Sequence, residues 1–153
     1  MADIVFNIAK GRVAELYNRV KTADPSAARL YVIPISAGAV SDATALDVDT
    51  FADLVTAGVT ERTANGWNRK TLAAADLASM APDDTNNRMD IDIPDQTWTA
   101  VSTDAVTDLV ICYSATASPT NAQLVPLTQH DFAVTPSGGD VTAQIAAAGF
   151  YRA

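Results

Sequence analysis

The feature that most constrains this chain is the way short apolar runs alternate with turn-forming residues. Leu30-Tyr31-Val32-Ile33-Pro34-Ile35-Ser36 is aromatic and β-branched and reads as a strand. Its proline cannot donate to a ladder, which predicts an edge position or a bulge there. Met89, Ile91 and Ile93 alternate with Arg88, Asp90 and Asp92, the period of a half-buried strand. Thr97-Trp98-Thr99-Ala100-Val101 predicts another strand, and Leu109-Val110-Ile111-Cys112-Tyr113, apolar throughout, suits a central one. Gln123-Leu124-Val125-Pro126-Leu127 reads as a strand interrupted by proline. Phe132-Ala133-Val134 and Val141-Thr142-Ala143-Gln144-Ile145 flank Gly138-Gly139 and predict a hairpin. Asn65-Gly66 and the stretch from Pro82 to Asn87 are turns.

Two segments carry a helical signal. Val13, Leu16, Tyr17 and Val20 form one stripe of a helical cylinder that begins near Gly11 and is stopped by Asp24-Pro25-Ser26. This leaves Ile4-Val5-Phe6 as an extended arm or strand. A short helix follows, with Asp49 as N-cap, Phe51, Leu54 and Val55 as its apolar face, and Gly58 just past its end. Ala73 to Met80 reads as a helical turn or a strand. The expected fold is mostly β (α+β): an antiparallel β-sandwich or small barrel with an N-terminal helix and one short helix. A chain of 153 residues without a linker or repeat makes one domain over 1–153, long enough to bury a real core.

Charge narrows the partners. Eighteen Asp and Glu against ten scattered Lys and Arg give a net charge of −8. Phosphate binding needs clustered cations, so nucleic acid is not an expected partner. An anionic membrane surface would be repelled, and no run approaches the ~18 apolar residues of a membrane span. The N-terminus lacks the basic and apolar regions of a secretory signal, so the chain is expected to stay in the cytoplasm that makes it, or to leave only in a particle. The single cysteine, Cys112, lies in an apolar run and is expected to act as a small core hydrophobe.

No arrangement of residues predicts catalysis. His130 is followed by Asp131, but a base must lie between its nucleophile and its orienting acid in space. His130 is therefore expected at a turn or strand end. Asp83, Asp84, Asn86, Asn87, Asp90 and Asp92 crowd together, yet Arg88 breaks the pattern of a calcium loop, and the turn residues are expected to bond their own backbone. Zinc would have one Cys and one His. Gly138-Gly139 is too short to cradle a phosphate. No metal or other cofactor is expected. Trp67 and Trp98 suit either a core or a sugar-stacking surface.

Several stretches taken together resemble small structural proteins encoded by tailed bacteriophages and prophages. They are Phe6-Asn7-Ile8-Ala9-Lys10-Gly11-Arg12, Asn68-Arg69-Lys70-Thr71-Leu72 and Asp83-Asp84-Thr85-Asn86-Asn87-Arg88-Met89-Asp90-Ile91-Asp92 with Thr97-Trp98. Towards the end come Leu124-Val125-Pro126-Leu127-Thr128-Gln129-His130-Asp131-Phe132 and Gly149-Phe150-Tyr151-Arg152-Ala153. The resemblance spans most of the chain and implies a virion component: a minor capsid or decoration protein seated on the major capsid protein of the head. It carries no catalytic residues. A homo-oligomer is expected, with a trimer suited to the threefold positions of a capsid. Ile4, Val5, Phe6, Phe150 and Tyr151 are the candidate docking or oligomer contacts, the alternative being that both terminal segments tuck into the chain's own core. A head–tail connector or tail subunit is the second virion reading, and a carbohydrate-binding module using Trp67 and Trp98 is the reading from another class.

Overall fold

The strand that carries the Leu109–Tyr113 run lies at the middle of the fold, where both of its faces are covered. A computed structural model describes residues 3–146 and 148–153. In chain order its strands are β1 (Ile4–Val5), β2 (Arg29–Ser36), β3 (Thr60–Glu61), β4 (Lys70–Leu72), β5 (Asp90–Ile91), β6 (Gln96–Trp98), β7 (Val106–Ser114), β8 (Val125–Val134), β9 (Val141–Ala143) and β10 (Tyr151–Arg152). The helices are α1 (Val13–Lys21), α2 (Asp42–Leu46) and α3 (Phe51–Ala57). The main sheet runs β1-β8-β7-β2-β3, with β4 also paired to β2. Two smaller pairs are β5 with β10 and β6 with β9, and every pairing is antiparallel. The chain is thus mostly β with helical additions. Its main sheet has β1 at one edge and β3 and β4 at the other.

Alternation along the central strands divides the interior in two, because successive side chains leave a strand on opposite faces. Leu109, Ile111 and Tyr113 of β7, with Leu30 and Val32 of β2, pack against α1, Trp67, Trp98, Ile91 and Phe150. Val110 and Cys112, with Tyr31, Ile33 and Ile35, pack against Phe6, Ala45, Phe51, Leu54 and Leu124. One face of the sheet is therefore covered by α2 and α3. The other is covered by α1 and the two small strand pairs.

The α1 stripe forms as its spacing predicts: Val13, Leu16, Tyr17 and Val20 are all buried. The Tyr17 hydroxyl lies 2.9 Å from the carbonyl oxygens of both Ala78 and Asp92, tying the helix to the chain leading into and out of β5. Helix α3 ends at Gly58 with φ 118°, as expected for a left-handed cap. Its N-cap is Thr50 rather than Asp49. Thr50 Oγ1 accepts from the Asp53 amide at 3.2 Å while the Asp53 carboxylate accepts from the Thr50 amide at 3.0 Å. Val55 points outward and is exposed, so the apolar face is Phe51 and Leu54 alone. A second short helix, α2, was not expected; Ser41 caps it by accepting from the Thr44 amide. Ala73 to Met80 contains a 3₁₀ turn at Ala74–Asp76 and no strand.

Three further expectations change. β2 is not an edge strand, although it contains Pro34. Pro34 pairs across from Leu109, and its carbonyl accepts from the Arg62 amide at 2.9 Å on the opposite side of the strand. In an antiparallel ladder a residue's N–H and C=O point the same way, so the missing donor faces the gap between β4 and β3 and costs no bond to β7. The hairpin over 132–145 does not form either. β8 continues unbroken from Val125 to Val134 beside β7, while β9 pairs with β6. His130 accordingly lies within a strand, not at a turn or strand end.

Candidate functional site

The two terminal segments meet on the face of the main sheet that α1 and the small strand pairs cover. β1 pairs with β8 in the register Ile4 to Gln129 and Val5 to Thr128. β10 pairs with β5, placing Tyr151 across from Ile91. Ile4, Val5 and Tyr151 are half-buried. Together with Thr128, His130 and Phe150 they line a groove of ≈ 260 Å³, whose other walls are Asp3 and Arg152. Phe6 does not join them. It is fully buried on the helix-covered face, and its amide donates to Leu127 at 3.1 Å. Phe150 is also buried, between the rings of Tyr17 and His130. Both phenylalanines belong to the chain's own core, and Ile4, Val5 and Tyr151 are the members of the set that reach the surface.

A larger cavity of ≈ 320 Å³ adjoins the groove and shares Asp3, His130 and Phe150 with it. Its floor is the buried Val32, Leu109 and Ile111 of the central strands, and its walls include Phe132, Ala143 and Ile145. This volume sits at the low end of the range of ligand pockets, roughly 300–1,000 Å³.

His130 stands between the two spaces. Its Nε2 lies 2.9 Å from Thr128 Oγ1, and its Nδ1 lies 3.8 Å from Asp3 Oδ2. The other Asp3 oxygen accepts from the Asp131 amide at 2.8 Å. Burial pushes the imidazole pKa below its ordinary 6.5, against the upward pull of the Asp3 carboxylate. Hydroxyl, imidazole and carboxylate thus stand in the order of a nucleophilic triad. Thr128, however, is 1% exposed, which leaves its hydroxyl without access to a substrate. The carboxylate beside the imidazole belongs to Asp3, not to the neighbouring Asp131. Residues 130 and 131 of β8 face opposite ways, so the Asp131 carboxylate does not reach the ring. Asp3 lies at the other end of the sequence and carries no local signal.

The remaining candidates are occupied within the fold. Asp83 accepts from the Asn86 side chain at 2.7 Å and from its amide at 3.2 Å, and the side-chain bond is the main cause holding its carboxyl below the usual range. Arg88 Nε lies 3.4 Å from Asp83 and 3.0 Å from Asp90, without the alignment of a hydrogen bond to either. Arg152 donates to Asp90 at 2.6 Å. Among the described residues no cluster of three or more His, Cys, Asp or Glu is placed to hold a metal ion. Trp67 and Trp98 are buried edge to face against each other, with centroids 5.2 Å apart. Their indole N–H groups donate to the carbonyls of Asp104 and Asn68. Neither ring presents a face on which a sugar could stack. Cys112 is fully buried, and burial raises its thiol pKa far above the ordinary value. Arg69 grips Glu61 through two bonds of 2.5 and 2.6 Å and also reaches Asn121, a cluster whose members no local pattern links.

No protein-family model matches the chain, and neither a curated protein nor a solved structure matches it. Among the described residues no helix is long and apolar enough to cross a membrane.

Proposed function

We propose that this chain is a structural protein of a tailed-bacteriophage virion. In this reading it is a decoration or minor capsid protein that binds the outer surface of the major capsid lattice and stabilises the head. The resemblance of its segments to small phage virion proteins motivates the proposal. The observation that carries it is the meeting of the two terminal segments in one surface groove, where Val5 and Tyr151 pack on the same face of the sheet and Ile4 borders the groove from the adjacent strand position. Such a face adds contact area between neighbouring capsid subunits, which is how an added protein resists the outward pressure of packaged DNA. The role needs no catalysis, metal or cofactor. Nucleic acid is not the partner in this reading. Arg69 is bound to Glu61, Arg152 to Asp90, and Arg12 and Arg19 both lie beside Glu15, so these four cations are offset by carboxylates rather than gathered for phosphates. A homo-oligomer, with a trimer at capsid threefold positions, follows from lattice symmetry.

Mass spectrometry of purified phage particles tests the proposal. A decoration protein should be present on the order of hundreds of copies per particle, following the multiplicity of the lattice. Copies numbering about a dozen or fewer would replace it with a head–tail connector or tail subunit, where rings of few subunits are the rule. Complete absence from the particle would end the virion reading.

A further inference from the structure

We propose that Asn65 is a site of spontaneous modification, deamidated through the Gly66 amide, and that the Asp104 carboxylate is the brake on this reaction. Asn65 is the one asparagine of the chain that precedes glycine, and it is exposed at the tip of a turn. The turn closes where the Trp67 amide donates to the Ala64 carbonyl at 3.0 Å. Both central residues have positive φ, +56° at Asn65 and +95° at Gly66. Gly66 carries no Cβ to shield its amide nitrogen from the preceding side chain. In the reaction that nitrogen attacks Asn65 Cγ. The new N–C bond forms as the Cγ–Nδ2 bond breaks, and the displaced nitrogen leaves as ammonia with the proton of the Gly66 amide. Water then opens the cyclic imide at either carbonyl and leaves aspartate or isoaspartate at position 65. No oxidant, reductant or cofactor enters.

Asp104 is placed to slow this chemistry. Asn65 Nδ2 donates to Asp104 Oδ2 at 2.7 Å, a charge-assisted bond. Such a bond pushes electron density into the carboxamide, so its carbon is a poorer electrophile and its nitrogen a poorer leaving group. It also restrains the side chain, which has to move as the ring closes. The product reverses the contact: a carboxylate at position 65 has no proton to donate and meets Asp104 with like charge. The change reaches the core because Asp104 also anchors Trp67, whose indole N–H donates to the Asp104 carbonyl at 2.8 Å. The Ser102 amide is tied to the same turn, donating to the Asn65 carbonyl at 3.2 Å. Trp67 is 2% exposed and packs on Trp98. One exposed side chain thus governs how firmly a buried tryptophan is held. The inference needs nothing from the virion reading.

The test ages the full chain in neutral buffer and in urea. Position 65 is followed by peptide mass spectrometry, with fragmentation that separates aspartate from isoaspartate. Conversion should concentrate at Asn65 and run more slowly in buffer than in urea. Asp104→Gly suits the φ of +68° at that position and keeps the carbonyl that Trp67 uses. It should raise the rate in buffer by about threefold or more, the scale of one net hydrogen bond, and leave the rate in urea unchanged. If Asp104→Gly loses its hydrogen-exchange protection in buffer, Asp104→Asn carries the comparison. A neutral acceptor holds the carboxamide less firmly than a carboxylate does, so that variant should also convert faster than the natural chain. Asn65→Asp places the product's charge on the natural backbone. It should speed hydrogen exchange at the Trp67 indole and the Ser102 amide by about threefold or more, while the Phe51 amide keeps its protection. Conversion at other asparagines in place of Asn65, equal rates in buffer and urea, or a folded Asp104 variant no faster than the natural chain would each overturn the proposal. So would unchanged exchange in Asn65→Asp, because the altered turn would then hold Trp67 as before.

Discussion

The two faces of the main sheet are covered by different means. On one face α2 and α3 lie over Tyr31, Ile33, Val110 and Cys112, and Phe6, Phe51 and Leu54 are fully buried there. The covering helices are capped by neighbours in sequence: Ser41 with Thr44, Thr50 with Asp53, and Gly58 at the end. On the other face α1 and four short strands close over Leu109 and Ile111. The strands pair residues far apart in the chain, such as Gln96 with Ala143 and Tyr151 with Ile91. Locally specified elements seal their face. The face assembled from distant strands, two or three residues long, retains a cavity of ≈ 320 Å³ at its edge. Both faces carry buried core, and they differ in how completely they close.

Substitutions can break this contrast. The largest effect is expected from Phe51→Ala on the sealed face, about 3–5 kcal/mol in urea unfolding, because the vacated volume has no room to collapse. Phe132→Ala at the half-buried cavity wall should cost at least about 1 kcal/mol less, and equal losses would deny the difference between the faces.

Gly149→Ala comes next. Gly149 has φ +76°, and a Cβ there would lie 2.2 Å from the Ile91 carbonyl oxygen. Left-handed backbone alone costs about 1–3 kcal/mol for a non-glycine residue, and the contact requires β5 to move as well. Hydrogen exchange should accelerate at Phe150 and Ala153, whose amides donate to Ile91 and Met89, while Phe51 and Val59 on the helix-covered face keep their protection. Uniform acceleration would show that the two faces unfold as one.

A matched pair sharpens the comparison further. Ala45→Leu overfills the sealed face and should cost about 1–3 kcal/mol, whereas Ala143→Leu can grow into the cavity and should cost less than about 1 kcal/mol.

The smallest expected effect is a pH dependence. The folded pKa of His130 lies below its ordinary 6.5, so the unfolded chain binds the proton more readily. The group's contribution to stability is complete above the unfolded pKa and is lost as pH falls through the folded value. The part of the acid loss that begins below pH 6.5 should shrink in His130→Leu. An unchanged stability profile would show that the ring titrates as it does in water.

What was legible in the sequence follows from how local each signal is. The α1 stripe and the Leu109–Tyr113 run depend on near neighbours, and both form where their patterns place them. Gly58 ends α3 for a reason contained within that helix. The continuity of β8 is hidden in the sequence because Thr128-Gln129-His130-Asp131 is polar. It stays a strand because Gln129 donates to Asp108 at 3.0 Å and Asp3 accepts from the Asp131 amide, partners supplied by β7 and the N-terminus. The glycines at 138–139 suggested a hairpin, but the partner of β9 lies some forty residues earlier, in β6. Pro34 looked like an edge residue because strand composition does not reveal which way an absent N–H would point. Of the candidate contacts, Ile4, Val5 and Tyr151 were legible as apolar terminal residues, but nothing in their spacing could bring them to Asp3 and His130. That site is made by topology.

Cryo-electron microscopy of the purified phage particle, with this chain traced in the density, tests the central claim most directly. The account predicts copies arrayed over the head lattice, with the face bearing Asp3, His130 and Phe132 against capsid subunits and α2 and α3 turned to solvent. Copies docked through α2 and α3, with the His130 cavity open to solvent, would contradict it, as would a particle that contains no copy of the chain.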